Sequence, residues 1–65
     1  MGSTIEELKK IATDNNKFYW EQEDAIDAIA CMKSNDVQHS LAEIANKAKY
    51  SWVRERALNN LKSDC

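Results

Sequence analysis

The stretch KFYWEQEDAIDAI, Lys17 to Ile29, decides the fold, because KYSWVRERALNNL, Lys49 to Leu61, repeats it 32 residues later. Lys17 matches Lys49, Phe18 matches Tyr50, Trp20 matches Trp52 and Glu23 matches Glu55. Ala25 matches Ala57, Ile26 matches Leu58 and Ile29 matches Leu61, which makes seven matches at one offset. Just upstream of each copy lies another repeated segment, in which Leu8, Ile11 and Ala12 return as Leu41, Ile44 and Ala45 at an offset of 33. The second turn is therefore one residue shorter than the first.

All four segments have helical periodicity. Ile5, Leu8, Ile11 and Ala12 fall on one stripe, with Glu6, Lys9 and Lys10 facing water. Thr4 and Glu7 have capping-box spacing, so a helix is predicted to start there. Asp14, Asn15 and Asn16 end it, because short polar side chains compete for the backbone. A second helix is predicted from about Phe18 to Lys33, with Phe18, Ala25, Ile26, Ile29 and Met32 inward. Ser34, Asn35 and Asp36 break the chain again, and Asn35 with Gln38 offers a second capping pair. A third helix from about Val37 buries Val37, Leu41, Ile44, Ala45 and Ala48, and a fourth, about Ser51 to Lys62, buries Val53, Ala57, Leu58 and Leu61. There is no proline and no strand-like alternation, so the fold class is all-α. The prediction is one domain, 1–65, made of two tandem helix-turn-helix hairpins stacked as a short solenoid, with repeat one at about 4–33 and repeat two at about 36–63.

Other hairpin repeats of similar length have signatures that differ from this one. A tetratricopeptide unit places Trp and Gly early in its first helix, and an ankyrin unit needs a Thr-Pro-Leu-His turn; neither is present. The segment LAEIANKAKYSWVRERALNNL, Leu41 to Leu61, resembles a short HEAT-like repeat of the kind also found in phycobilisome lyase-type proteins. The likeness lies in an aliphatic first helix, a short turn, Val53-Arg54 opening the second helix, and Ala57 and Leu61 after it. Repeat one carries Glu21 and Gln22 at the Val53 and Arg54 positions, as an atypical N-terminal capping unit would. The resemblance implies a binding scaffold without catalytic residues. It also implies a structural Arg54 that bonds an acid or a helix end in the adjacent unit, with Asp24 or Asp27 as acceptor; the alternative is an anion-binding Arg54 on the open surface.

A chain of 65 residues is predicted to have a thin core and a net stability of roughly 3 to 10 kcal/mol. Its net charge of −2 does not recruit nucleic acid or an anionic membrane as a whole. The charge is nevertheless split: residues 1–32 hold three bases against seven acids, and residues 33–65 six against four. Cys31 and Cys65 have no metal-like or CxxC spacing; Cys31 reads as a partly buried small residue, Cys65 as a frayed terminal thiol, and the compartment as reducing and cytoplasmic. No apolar run has the length of a secretory or membrane-spanning segment.

The chain reads as a non-enzyme. His39 is the only histidine and has no nucleophile partner, the cysteines and His39 do not cluster as metal ligands, and the only glycine is Gly2. No catalytic residue, metal or cofactor is therefore expected. Trp20 and Trp52 hold equivalent stations and should stand about 8 to 10 Å apart. Packing accounts for them first, each ring sealing its own hairpin with Phe18 and Tyr50 beneath; the other reading is an exposed patch of Tyr19, Trp20 and Trp52. The candidate interface is Tyr19, Trp20, Glu21, Asp24, Trp52, Arg54 and Arg56. The expected function is protein-protein interaction or scaffolding, with another protein or a second copy as partner. The alternatives are nucleic-acid backbone binding through the basic second repeat, for which Arg54 and Arg56 lie on separate sides of a helix, and a structural fragment of a larger repeat assembly.

Overall fold

A computed structural model describes residues 4–62. The four predicted stripes are four helices: α1 (Thr4–Thr13), α2 (Tyr19–Ala30), α3 (Val37–Lys47) and α4 (Ser51–Lys62). Among the described residues no strand occurs and no residue has positive φ, so the turns need no glycine.

Local chemistry sets the boundaries. Glu6 and Glu7 in the first turn of α1 and Lys10 in its last suit the helix dipole. Helix α1 begins at Thr4 itself, so the start of the expected Thr4–Glu7 capping box borders residue 3, which lies outside the described residues. Thr13 Oγ1 donates back to the Lys9 carbonyl at 2.9 Å, and Asn16 N–H donates to Asp14 Oδ1 at 2.9 Å, which turns the chain. Phe18 precedes α2 in an extended conformation, and its N–H donates to Glu21 Oε2 at 3.1 Å. Phe18 offers no acceptor in return, so only the glutamate half of a capping box forms.

Helix α2 ends at Ala30, short of the expected Lys33, because Met32 N–H donates to the Ile29 carbonyl at 3.0 Å and tightens the last turn. The expected Asn35–Gln38 capping pair does not form: Asp36 precedes α3 without a side-chain cap, and its own N–H donates to Ser34 Oγ at 3.2 Å.

Helix α1 packs on α2 and α3 on α4, giving two hairpins; α2 then packs on α4 and on α3, and α1 on α3. Ile26, Ile29, Leu41, Ile44 and Val53 fill the space between them, together with the buried Ala12, Ala25 and Ala57. No aromatic side chain is in this core. Two expected core residues are outside it. Phe18 is 61% exposed, because it stands ahead of α2 and not on its inner face, and Leu58 is 46% exposed.

Two polar residues, Gln22 and Ser40, are enclosed. Gln22 has no exposed surface; its Nε2 donates to the Asp14 carbonyl at 2.8 Å, and its Oε1 is buried without a hydrogen-bond partner. A neutral amide fits such a place, since enclosing a charge costs far more.

Cys31 also departs from expectation. It is exposed and disulfide-bonded, not a partly buried free thiol. Disulfides persist in oxidising surroundings, so Cys31 gives no support to a reducing compartment. The chain's other cysteine, Cys65, lies outside the described residues. Among the described residues no helix is long and apolar enough to cross a membrane.

Candidate interaction surface

The seven candidate interface residues occupy three places. Tyr19, Trp20 and Trp52 come together on the surface, Glu21 and Asp24 line a cleft on the first hairpin, and Arg54 and Arg56 bond backbone carbonyls and carboxylates of the chain itself.

The surface cluster is larger than those three residues. Phe18 stacks on Trp20 with ring centroids 4.4 Å apart and planes 9° from parallel. Tyr50 stacks on Trp52 in the same way, at 4.8 Å and 17°. Tyr19 stands edge-on between the two pairs, 5.1 Å from Trp20 and 6.2 Å from Trp52. The two tryptophans thus meet through Tyr19 and form no ladder of their own. Phe18, Tyr19, Trp20 and Trp52 are each roughly half exposed or more, and Tyr50 is partly buried with Lys49 Nζ 5.5 Å from its ring centroid. The two rings do not seal the hairpin cores, as the packing reading required; both are about half exposed, and aliphatic residues make up the core.

Both stacked pairs have i,i+2 spacing. Residues two apart on a helix do not face each other, whereas alternate residues of an extended chain share a side. The stacks form because Phe18 and Tyr50 each stand just before a helix, and Phe18 is extended. The sequence held this signal in FYW and YSW at the two helix starts, but it is informative only once those starts are fixed.

The arginines divide differently from expectation. Arg54 Nη1 donates to the Ala48 carbonyl at 2.7 Å and the Lys49 carbonyl at 3.0 Å, so it closes the end of α3 in its own hairpin and does not reach Asp24 or Asp27. The tie between hairpins is made by Arg56, whose Nε and Nη2 donate to the two oxygens of Asp27 at 3.0 and 2.7 Å, with Glu23 at 3.6 Å from Nη1. Asn60 Nδ2 adds a third bond to Asp27 at 3.2 Å. The bonds from Arg56 hold the Asp27 carboxyl below the usual carboxylate range against a smaller opposing effect of burial, and they raise Arg56 in turn.

A second tie joins α1 to α3. Lys9, expected to face water alone, is 3.2 Å from Glu43 as well as from Glu6. The hydrogen bond with Lys9 lowers Glu43, and the one with Glu43 is the main cause of the raised Lys9.

Glu21 and Asp24 lie with Lys17 around a cleft of about 310 Å³ between α1 and α2, floored by Leu8, Ile11 and Ala25. Among the described residues no group of three His, Cys, Asp or Glu side chains is placed to hold a metal ion. Compared with family models, curated proteins and solved structures, the chain matches none.

Proposed function

We propose that the chain is a small protein-interaction module of the HEAT-like hairpin type, without a reaction of its own, and that the aromatic cluster is its contact surface. The observation that carries this reading is the placement of all five aromatic side chains in one continuous surface cluster, while the core contains none. Aromatic rings are the largest apolar groups available to a chain with a thin core. Left at the surface they contribute little to folding, and they gain on association, where tyrosine and tryptophan are the usual anchors. Stacking holds the rings in place beforehand, so less side-chain freedom is lost when a partner covers them. The thin core and the exposed rings make a second copy, meeting this one through the aromatic cluster, the first partner to test.

The nucleic-acid reading gains no support from the arginines. Arg54 and Arg56 are turned onto backbone carbonyls and carboxylates, which leaves exposed Lys47, Lys49 and Lys62 as scattered bases on the second hairpin.

Sedimentation equilibrium of the parent beside a Trp20→Ala/Trp52→Ala variant tests the proposal. A concentration-dependent dimer is expected in the parent and a monomer in the variant, with the melting temperature nearly unchanged because both rings are half exposed. A parent that melts cooperatively and stays monomeric at high micromolar concentration defeats self-association.

A further inference from the structure

The cleft on the first hairpin has a counterpart inside the molecule. At offsets of 33 and 32, Leu8, Ile11, Glu21, Asp24 and Ala25 correspond to Leu41, Ile44, Val53, Arg56 and Ala57. Leu41, Ile44, Val53 and Ala57 are buried in the core, and Arg56 bonds Asp27 and Glu23 of α2. This is the face by which the second hairpin sits on the first. On the first hairpin the same positions line the open cleft, with Leu8 and Ile11 partly exposed and Ala25 buried beneath; the two remaining positions change from Val and Arg to Glu and Asp, and Lys17 stands at the edge.

From this correspondence we propose that the cleft of Leu8, Ile11 and Ala25, rimmed by Glu21 and Asp24, takes a helical surface of another protein that carries basic side chains where α2 carries Glu23 and Asp27. The internal interface supplies the template. Its ligand helix, α2, which packs on both α3 and α4, carries the enclosed Ile26 and Ile29 and, four residues apart, Glu23 and Asp27, the charges that meet Arg56. With Asp24 in the place of Arg56, the matching ligand keeps the aliphatic pair and replaces the two acids with Lys or Arg.

The same correspondence argues against a second copy of this chain. In a head-to-tail stack the positions of Glu23 and Asp27 are taken by Glu55 and Asn59 of α4. Asp24 would then meet a glutamate and a neutral amide, and like charges at a contact exclude a partner. The opposed charges of the two end faces thus stop the stack from extending itself while leaving the first face open to a basic partner. The cleft adjoins the aromatic cluster through Glu21, whose carboxylate accepts from Phe18 N–H at 3.1 Å, so the two readings are told apart at Asp24, which has no part in the ring stacking.

The probe is the chain itself with a converted end. Glu55→Arg/Asn59→Arg puts bases at the α4 positions that correspond to Glu23 and Asp27; both positions are exposed, and the single Glu55→Arg variant serves if the double variant does not fold. Sedimentation is expected to show association of the converted chain at least about tenfold tighter than that of the parent, a difference of roughly 1.4 kcal/mol. Adding Asp24→Arg should return it to the parent level. No gain over the parent overturns the proposal, as does a gain that survives Asp24→Arg. Parent self-association that depends on Asp24 overturns it too, since a second copy would then be the occupant.

Discussion

Ile26 and Leu58 hold the same position in the two hairpins, yet Ile26 has no exposed surface and Leu58 is 46% exposed. The inverse holds on the opposite faces. Leu8 and Ile11 are only partly buried, while their counterparts Leu41 and Ile44 are enclosed. Near-identical helices are therefore apolar on both sides of each hairpin, and which side becomes core is decided by where the other hairpin lies. The outward faces are what remains for partners: the cleft on the first hairpin, Leu58 on the second, and the aromatic cluster at the starts of α2 and α4.

The largest expected effect breaks that pairing at its centre. Ile26→Ala should lower stability by about 2 to 5 kcal/mol, because a fully enclosed aliphatic side chain leaves a cavity. That is a large share of the roughly 3 to 10 kcal/mol available to a chain of this length. Leu58→Ala should stay within about 0.5 kcal/mol of the parent, as exposed substitutions do. Urea titration followed by far-ultraviolet circular dichroism measures both. Equal losses at the two positions would mean that Leu58 is covered in solution, and would point to a partner copy on the second hairpin.

A second pair sharpens the comparison. Gln22 and Arg54 are 32 residues apart and do the same work with different chemistry, each bonding a carbonyl at the end of the preceding helix: Asp14 for Gln22, Ala48 and Lys49 for Arg54. Truncating either leaves carbonyls without their donor. Gln22→Ala and Arg54→Ala are each expected to cost about 1 to 3 kcal/mol, with Arg54→Lys recovering part of the loss. A melting temperature unmoved by Arg54→Ala, together with loss of an anionic ligand, would return Arg54 to the open surface as a binding residue.

How much of this was legible depends on what each feature requires. Helix number, the Ser51–Lys62 limits of α4 and the enclosed Leu41, Ile44, Val53 and Ala57 follow from periodicity and turn chemistry, which are local. Leu58 lies on the apolar stripe of α4 yet is exposed, because α4 turns Val53 and Ala57 toward the other helices, a choice of side that periodicity alone does not make. Phe18 was misread because its position one residue ahead of α2 sends the ring outward onto Trp20, and a helical wheel drawn through it assigns the opposite direction. The roles of Arg54 and Arg56 were exchanged because residues two apart point to different sides, and only the packing of α4 on α2 shows which side holds Asp27. The Gln22 bond was hidden because a glutamine opening a helix carries no mark of being enclosed.

The smallest expected effect concerns the polar seams beside the core, where Arg56 meets Asp27 and Lys9 meets Glu43. Asp27 and Glu43 are both held below the usual carboxylate range, each chiefly by its basic partner. A carboxyl lowered in the folded state stabilises the fold at pH values above its unfolded pKa, and that contribution is lost as pH falls through the folded value. Stability should therefore decline as acid is added between about pH 5 and 2. Asp27 and Arg56 are each 44% exposed at the side chain, so their bond lies in the range of a solvent-screened pair, about 0.2 to 1 kcal/mol. Asp27→Asn should lose that amount at neutral pH, flatten the acid limb and show less sensitivity to high salt than the parent. Because Glu43 remains in that variant, part of the acid slope should persist until Glu43→Gln is added. An acid limb unchanged by both substitutions would assign the decline to other carboxylates and reduce the two seams to geometry without energetic weight, leaving the enclosed aliphatic residues alone to hold one hairpin on the other.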